Sequence, residues 1–284
     1  MIPFSFSVFA AHSRWAAAEI SSLVPGAFSM TILREPLEAF ESFYSYMNID
    51  RSLDMDINQF AQSLTTRQES DMSLDVARGR NKALYDLGLD TEEMLEKEDV
   101  IMKIQSLDQE FDQVLILERL EESLVMMADS LCWSLDQVRF IQLNSRHQDF
   151  LTSISPESRV ILNEWLWADR LLYNFFLQRH LDTLNTFGAK RMDDALKILG
   201  ILNDDLRADC VSSSSDSEDK LFVSNNKKIQ QIFPKQNQSW CRNYLKTEIA
   251  LTDSIREMNR LYLEENFKTV QENHSSKDLV NAIK

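Results

Sequence analysis

The run Met30-Thr31-Ile32-Leu33-Arg34-Glu35-Pro36-Leu37-Glu38-Ala39-Phe40-Glu41-Ser42-Phe43-Tyr44-Ser45-Tyr46-Met47 decides how this chain folds. Its first four residues suit a short buried strand, which stops at the charged Arg34. Pro36 then stands where a helix can use it, because the first helical position needs no N–H and accepts the fixed φ of proline. Beyond it Leu37, Phe40, Phe43, Tyr44 and Met47 recur at helical spacing and predict an amphipathic helix. The segment reads as one strand-to-helix unit.

A second unit is predicted from Phe111 to Trp133. Phe111-Asp112-Gln113-Val114-Leu115-Ile116-Leu117 reads as a buried strand, and Leu120, Leu124, Met127 and Leu131 keep a helical period after Glu118. Two such units predict a layered α/β fold with a parallel sheet. Five glycines and five prolines in 284 residues leave too little punctuation for an all-β chain, so helices should supply most residues. With 44% apolar residues the chain can bury one sizeable core, or a large and a small lobe.

Elsewhere the pattern is plainer. Met1 to Ala11 is apolar without the basic n-region of a signal peptide and reads as a core strand. Residues 48–79 are mostly polar and read as a surface excursion, with a short amphipathic helix near Ile57, Phe60, Ala61 and Leu64 and room for contacts to an acceptor. Val138 to Leu143 is a candidate third strand. Pro156 to Phe187 predicts one long helix ended by Gly188, and Ala189 to Cys210 another. Residues 211–239, which include VSSSSDSEDK, are expected to be mobile, 240–267 to hold a final helix, and 268–284 to be a disordered tail.

The net charge of −15 excludes a general nucleic-acid or anionic-membrane binder, since those partners require dense Lys and Arg. Any anionic ligand must be held locally. No run approaches the roughly 18 apolar residues that cross a bilayer. Three cysteines cannot build a disulfide framework, and without a CxxC or His/Cys cluster no metal site is expected. The pattern that suits a phosphate is Arg34 at the carboxyl end of a strand with Ser42 inside the following helix, where ligands of open α/β sheets bind. From these residues alone, a structural ion pair for Arg34 and an incidental Ser42 remain open as the alternative.

The segment from Thr31 to Met47 resembles the part of the galactose-3-O-sulfotransferase family that holds the 3′-phosphate of 3′-phosphoadenosine 5′-phosphosulfate, the sulfuryl donor. GRNKALYDLGL (79–89), FDQVLILERLEESLVMMADSLCW (111–133), FIQLNSR (140–146), the run from Ser155 to Cys210 and CRNYLKTEI (241–249) are similar to further stretches of that family in the same order. The likeness spans roughly residues 12–260. It implies a three-layer, P-loop-like sulfotransferase core with a parallel sheet, with residues 1–210 as a partial sulfotransferase domain and the helix of 240–267 belonging to it. Arg34 and Ser42 fall on the family's phosphate ligands. The implied reaction moves sulfate to the 3-hydroxyl of galactose on a glycolipid of the galactosylceramide kind or on a glycoprotein glycan, without a metal or nucleic acid. The implied place is the lumenal side of the Golgi membrane, reached through an N-terminal anchor.

One departure accompanies the likeness. Before Arg34 the only charged or titratable side chains are His12, Arg14 and Glu19, so no lysine-bearing loop is available there to grip the 5′-phosphosulfate. The first phosphate-binding unit and the anchor are therefore expected to be missing. The alternative to an active transferase is a truncated, non-catalytic remnant that binds nucleotide or a partner protein.

Several other residues have two readings each. His12 is a candidate base for the acceptor hydroxyl or a satisfied structural histidine. Arg146 is a candidate second anion contact or a surface ion pair. Lys190 and Arg191 read as a solvated helix start rather than a nucleotide contact, and Trp165, Trp167 and Tyr173 as core rather than a sugar platform. Glu118, Glu121 and Glu122 are candidate acceptor contacts or a base, although Glu121 and Glu122 also suit the first turn of a helix. Cys210 and Cys241 flank the Ser-rich stretch and would close it as a disulfide in an oxidising lumen, whereas Cys132 is expected to be buried. Asn237-Gln-Ser239 and Asn273-His-Ser275 are glycosylation sequons.

Overall fold

The computed structural model describes residues 13–66, 79–90, 95–143, 152–212, 239–246 and 250–262, together with Ile232, Lys235 and Glu264. The chain divides into two compact units, Met1–Val138 with Leu151–Gly200, and Arg139–Phe150 with Ile201–Lys284. The apolar stretch from Met1 to Ala11 lies outside the described residues, as do 213–231 and 265–284.

The first unit opens with α1 (Ala17–Leu23), then β1 (Met30–Leu33) and α2 (Pro36–Tyr46), with Pro36 at the start of the helix as its fixed φ favours. Three short helices follow: α3 (Ile49–Leu53), α4 (Ile57–Ser63) and α5 (Lys82–Asp86). Helix α6 (Lys97–Glu110) leads into β2 (Gln113–Ile116), a 3₁₀ turn at Leu117–Arg119, and α7 (Leu120–Ser130). β1 and β2 pair in parallel, Met30 beside Gln113 and Leu33 beside Ile116. The result is a helix-rich fold around a small two-stranded parallel sheet.

Alternation along the strands sorts their side chains between two faces. Leu33, Val114 and Ile116 pack with Leu84, Val100, Ile104 and Leu107, and with Ala168, Leu172 and Phe176 of a later helix. Leu115 points the other way, against Val125 of α7 and Met192 and Leu199. β2 is thus covered on both faces, as a parallel strand requires. Among the described residues β1 is covered on one: Leu33 is 4% exposed, whereas Met30 and Ile32 on the opposite face are 40% and 49% exposed.

The polar-looking segment after α2 is not a surface excursion over its described part, 48–66. Ile49, Ile57, Phe60 and Ala61 are buried against Leu37, Phe40 and Tyr44 of α2 and Leu162 and Trp165 of α8 (Pro156–Trp165). The rings of Phe40 and Phe60 meet Trp165 at 5.0 and 5.6 Å, in edge-on arrangements that aromatic quadrupoles favour. Four apolar residues spread over two one- and two-turn helices suffice to pull the segment inward, because each large side chain buried contributes about 1.5–3 kcal/mol. Residues 67–78 lie outside the described residues.

The predicted helix from Pro156 to Phe187 is two helices, α8 and α9 (Trp167–Phe187), separated at Leu166, whose φ of −93° and ψ of 23° leave the α region. No glycine or proline marks this break. Leu166 itself is buried, at 1% exposure. Gly188, at φ 95°, ends α9 in a conformation that a side chain would disfavour, and α10 (Ala189–Cys210) follows.

Where the first unit passes into the second, Val138 to Leu143 is not a strand. Leu135–Val138 forms a 3₁₀ turn, and the N–H of Phe140 donates to the side-chain oxygen of Asn203 at 2.9 Å rather than to a neighbouring strand. Ile141, Leu206, Ile232 and Leu245 surround the disulfide between Cys210 and Cys241, whose Cα atoms are 5.3 Å apart. Ser239–Asn243 is a 3₁₀ turn, so Trp240 does not begin an α-helix, and residues 250–262 are helical. Among the described residues no helix is long and apolar enough to cross a membrane.

Candidate functional site at the carboxyl ends of the strands

Arg34 is the first residue beyond β1, half-buried, and forms no ion pair or hydrogen bond with another described residue. The structural ion pair that would account for it is absent there. The neighbouring carboxylates are matched by other cations. Glu35 caps α2, one oxygen accepting the N–H of Glu38 at 2.8 Å and the other lying 3.6 Å from Arg170. Glu38 in turn lies 3.6 Å from Arg159. Ser42 is half-buried and, four residues after Glu38, shares its helix face. A strongly acidic chain therefore gathers Arg34, Arg159 and Arg170 around the start of α2.

The two strand ends are tied by a side chain. Glu118 accepts the backbone N–H of Glu35 at 2.8 Å through one oxygen and the hydroxyl of Tyr173 at 2.9 Å through the other. Burial and then the adjoining Glu118 carboxylate push the Tyr173 phenol well above its ordinary value, so it stays a donor. The next residues form a second cluster: Arg119 pairs with Glu122 at 2.7 Å, and the same Glu122 oxygen lies 3.5 Å from Nε2 of His180. Burial lowers the His180 pKa, opposed by Glu122, and its side chain is 1% exposed. Glu122 is thus engaged in structure, and Glu121 is exposed on the first turn of α7.

Asn81 and Asp169 hold the floor beneath. Asn81, at φ 47° and buried, accepts the N–H of Asp169 at 3.1 Å through its side chain. Asp169 accepts the N–H groups of Ala83 and Leu84 at 3.0 and 2.9 Å. Arg80 donates to the carbonyl of Trp165 at 3.3 Å.

Other candidate residues divide sharply. Lys190 and Arg191 are exposed and pair with Asp194 and Asp129. Trp165 and Tyr173 are buried among core side chains and Trp167 is partly buried against the same core. Cys132 is exposed, not buried, because it stands in the turn after α7 with φ 54°. His12, Arg146, Asn237 and Asn273 lie outside the described residues. Reading the sequence missed the Glu118 bridge to Glu35 and the Asn81 and Asp169 pair, which join residues 83 or more apart and leave no local signal. The one hint was Asn81 itself, since asparagine tolerates the left-handed region.

A family model described as galactose-3-O-sulfotransferase matches residues 3–253. The chain is 29% identical over 213 residues to galactosylceramide sulfotransferase of Bos taurus, covering 72% of this chain and 50% of the relative. It is 28% identical over 215 residues to galactose-3-O-sulfotransferase 2 of Sus scrofa, covering 74% and 54%. Against galactose-3-O-sulfotransferase 3 of Bos taurus it is 31% identical over 178 residues, covering 60% and 42%. The chain spans about half the length of the curated relatives it matches. No solved structure matches it. With a match that runs through both strand-to-helix units and the residues at their ends, the chain belongs to the galactose-3-O-sulfotransferase family.

Proposed function

We propose that the protein transfers a sulfuryl group from 3′-phosphoadenosine 5′-phosphosulfate to the 3-hydroxyl of a terminal galactose, with Arg34 and Ser42 holding the donor's 3′-phosphate. The observation that carries this is the guanidinium of Arg34: it stands at the carboxyl end of a parallel strand, unpaired among the described residues, while Glu35 and Glu38 beside it have Arg170 and Arg159. A charge-assisted contact to a phosphate is what such a group can supply.

In the reaction, galactose O3 bonds to sulfur as the bond from sulfur to the phosphate oxygen breaks. The hydroxyl proton passes to a base, and the charge growing on the phosphate needs cations. His12 is the candidate base and Arg146 a second anion contact, in a three-layer sulfotransferase core. Acceptors would be a glycolipid of the galactosylceramide kind or a glycoprotein glycan, on the lumenal side of the Golgi membrane. The Cys210 to Cys241 disulfide and the sequons at Asn237 and Asn273 suit that oxidising compartment.

Titration calorimetry of the chain with adenosine 3′,5′-bisphosphate tests the donor assignment. Arg34→Ala should weaken binding at least about tenfold, and Ser42→Ala by less, as expected for a charged against a neutral hydrogen bond. Equal affinity in the wild type and Arg34→Ala would overturn it. Transfer of radiolabelled sulfate from the donor to galactosylceramide and to a galactose-terminated oligosaccharide by the full-length protein separates the two acceptor classes.

A further inference from the structure

The ladder between β1 and β2 ends at Leu33 beside Ile116. Continuing its register would set Arg34 beside Leu117 and Glu35 beside Glu118. No backbone rung forms there; the N–H of Glu35 donates to the Glu118 carboxylate instead, at 2.8 Å. A side chain has taken the place of the next carbonyl. Its other oxygen is fixed at 2.9 Å by the hydroxyl of Tyr173, a residue only 9% exposed and set in the helix that covers the sheet. Glu118 itself is exposed and contributes nothing to the apolar core.

We infer that Glu118 is a positioning residue for the anion site: its carboxylate clamps the turn that carries Arg34 to the end of β2 and so holds the guanidinium where the 3′-phosphate meets it. The inference rests on the assignment of Arg34 to the nucleotide. Both Glu118 oxygens already accept structural donors, which fits a positioning role. Arg34 has no ion pair of its own among the described residues, so the path of the backbone at Glu35 governs where it points.

The test uses the chain with four single substitutions, Glu118→Ala, Glu118→Gln, Tyr173→Phe and Arg34→Ala. Calorimetry with adenosine 3′,5′-bisphosphate and with adenosine 5′-monophosphate reads the 3′-phosphate contact, and circular dichroism reads folding. Glu118→Ala should weaken the bisphosphate about tenfold and leave the monophosphate unchanged, since one hydrogen bond to a charged group is at stake. Glu118→Gln, whose amide oxygen still accepts from Glu35, should stay within about threefold of wild type, and Tyr173→Phe should fall between them. The inference is overturned if Glu118→Ala keeps the full preference for the bisphosphate while Arg34→Ala loses it, or if Glu118→Gln is as weak as Glu118→Ala. Should Glu118→Ala fail to fold, the ordering of Glu118→Gln above Tyr173→Phe decides: a reversed ordering rejects the clamp. An unchanged Arg34→Ala would instead reject the nucleotide assignment itself.

Discussion

Asn81 and Asp169 each complete the first turn of the other's helix. The Asn81 amide oxygen accepts the third N–H of α9, and the Asp169 carboxylate accepts two N–H groups at the start of α5. Two helix ends buried in the same core would otherwise carry unanswered donors, which is costly away from water. The pair therefore locks α5 to α9 beneath the carboxyl ends of the strands.

This lock makes stability depend on pH. Burial raises the Asp169 carboxyl from 3.8 to about 6, against the pull of its two backbone donors. A folded pKa above the unfolded one means that the group's contribution is fully present below about pH 4 and is lost as pH rises through about 6. The gap of about two units corresponds to roughly 3 kcal/mol. In urea titrations the stability of wild type relative to Asp169→Asn should decline by that order between pH 4 and pH 7. A difference that stays constant across this range would reject the reading.

Asn81→Ala should cost about 2–3 kcal/mol, combining a left-handed backbone that alanine disfavours with a lost cap to α9. Asn81→Gly relieves the backbone and loses only the cap. Denaturant midpoints should rank wild type above Asn81→Gly above Asn81→Ala.

Gly79→Ala should destabilise by about 1–3 kcal/mol, the usual cost of overpacking. A Cβ there would meet the Phe43 ring at 2.8 Å and the Phe40 ring at 3.0 Å. In a Phe43→Leu background the same substitution should cost less, and a double-mutant cycle measures the coupling.

Much of this architecture was legible because local signals agreed. The β-branched run before Arg34, Pro36 and the apolar stripe through Tyr44 all pointed to one strand and one helix, and both formed at those residues. The helix at α4 was legible from Ile57, Phe60 and Ala61 but its burial was not, and the single turn of α3 is too short to show a period. The break at Leu166 was invisible because no glycine or proline marks it. At the site, spacing alone left Arg34 and Ser42 open between a phosphate contact and an incidental pair, and the resemblance to the family is what singled them out. The partners that shape the site could not be named from the sequence, since Glu118 reaches Glu35 and Tyr173 only after β1, β2 and α9 have assembled.

Replacing both Cys210 and Cys241 by serine should lower the stability of the second unit by about 3–4 kcal/mol on the loop-closure model, for a separation of 31 residues. Hydrogen exchange should quicken in 201–212 and 239–246 and stay unchanged across β1 and β2. Faster exchange in the strands would show that the two units unfold together.

The side of β1 that no described residue covers has a practical consequence for handling the protein. Met30 and Ile32 present an adhesive strip to solvent on the strand that delivers Arg34. Concentrated samples should scatter light through contacts made there, because an open apolar strand is a template for association. Ile32→Thr, which keeps a β-branched side chain and leaves Leu33 in its core, should quieten the scattering without disturbing the arginine next door.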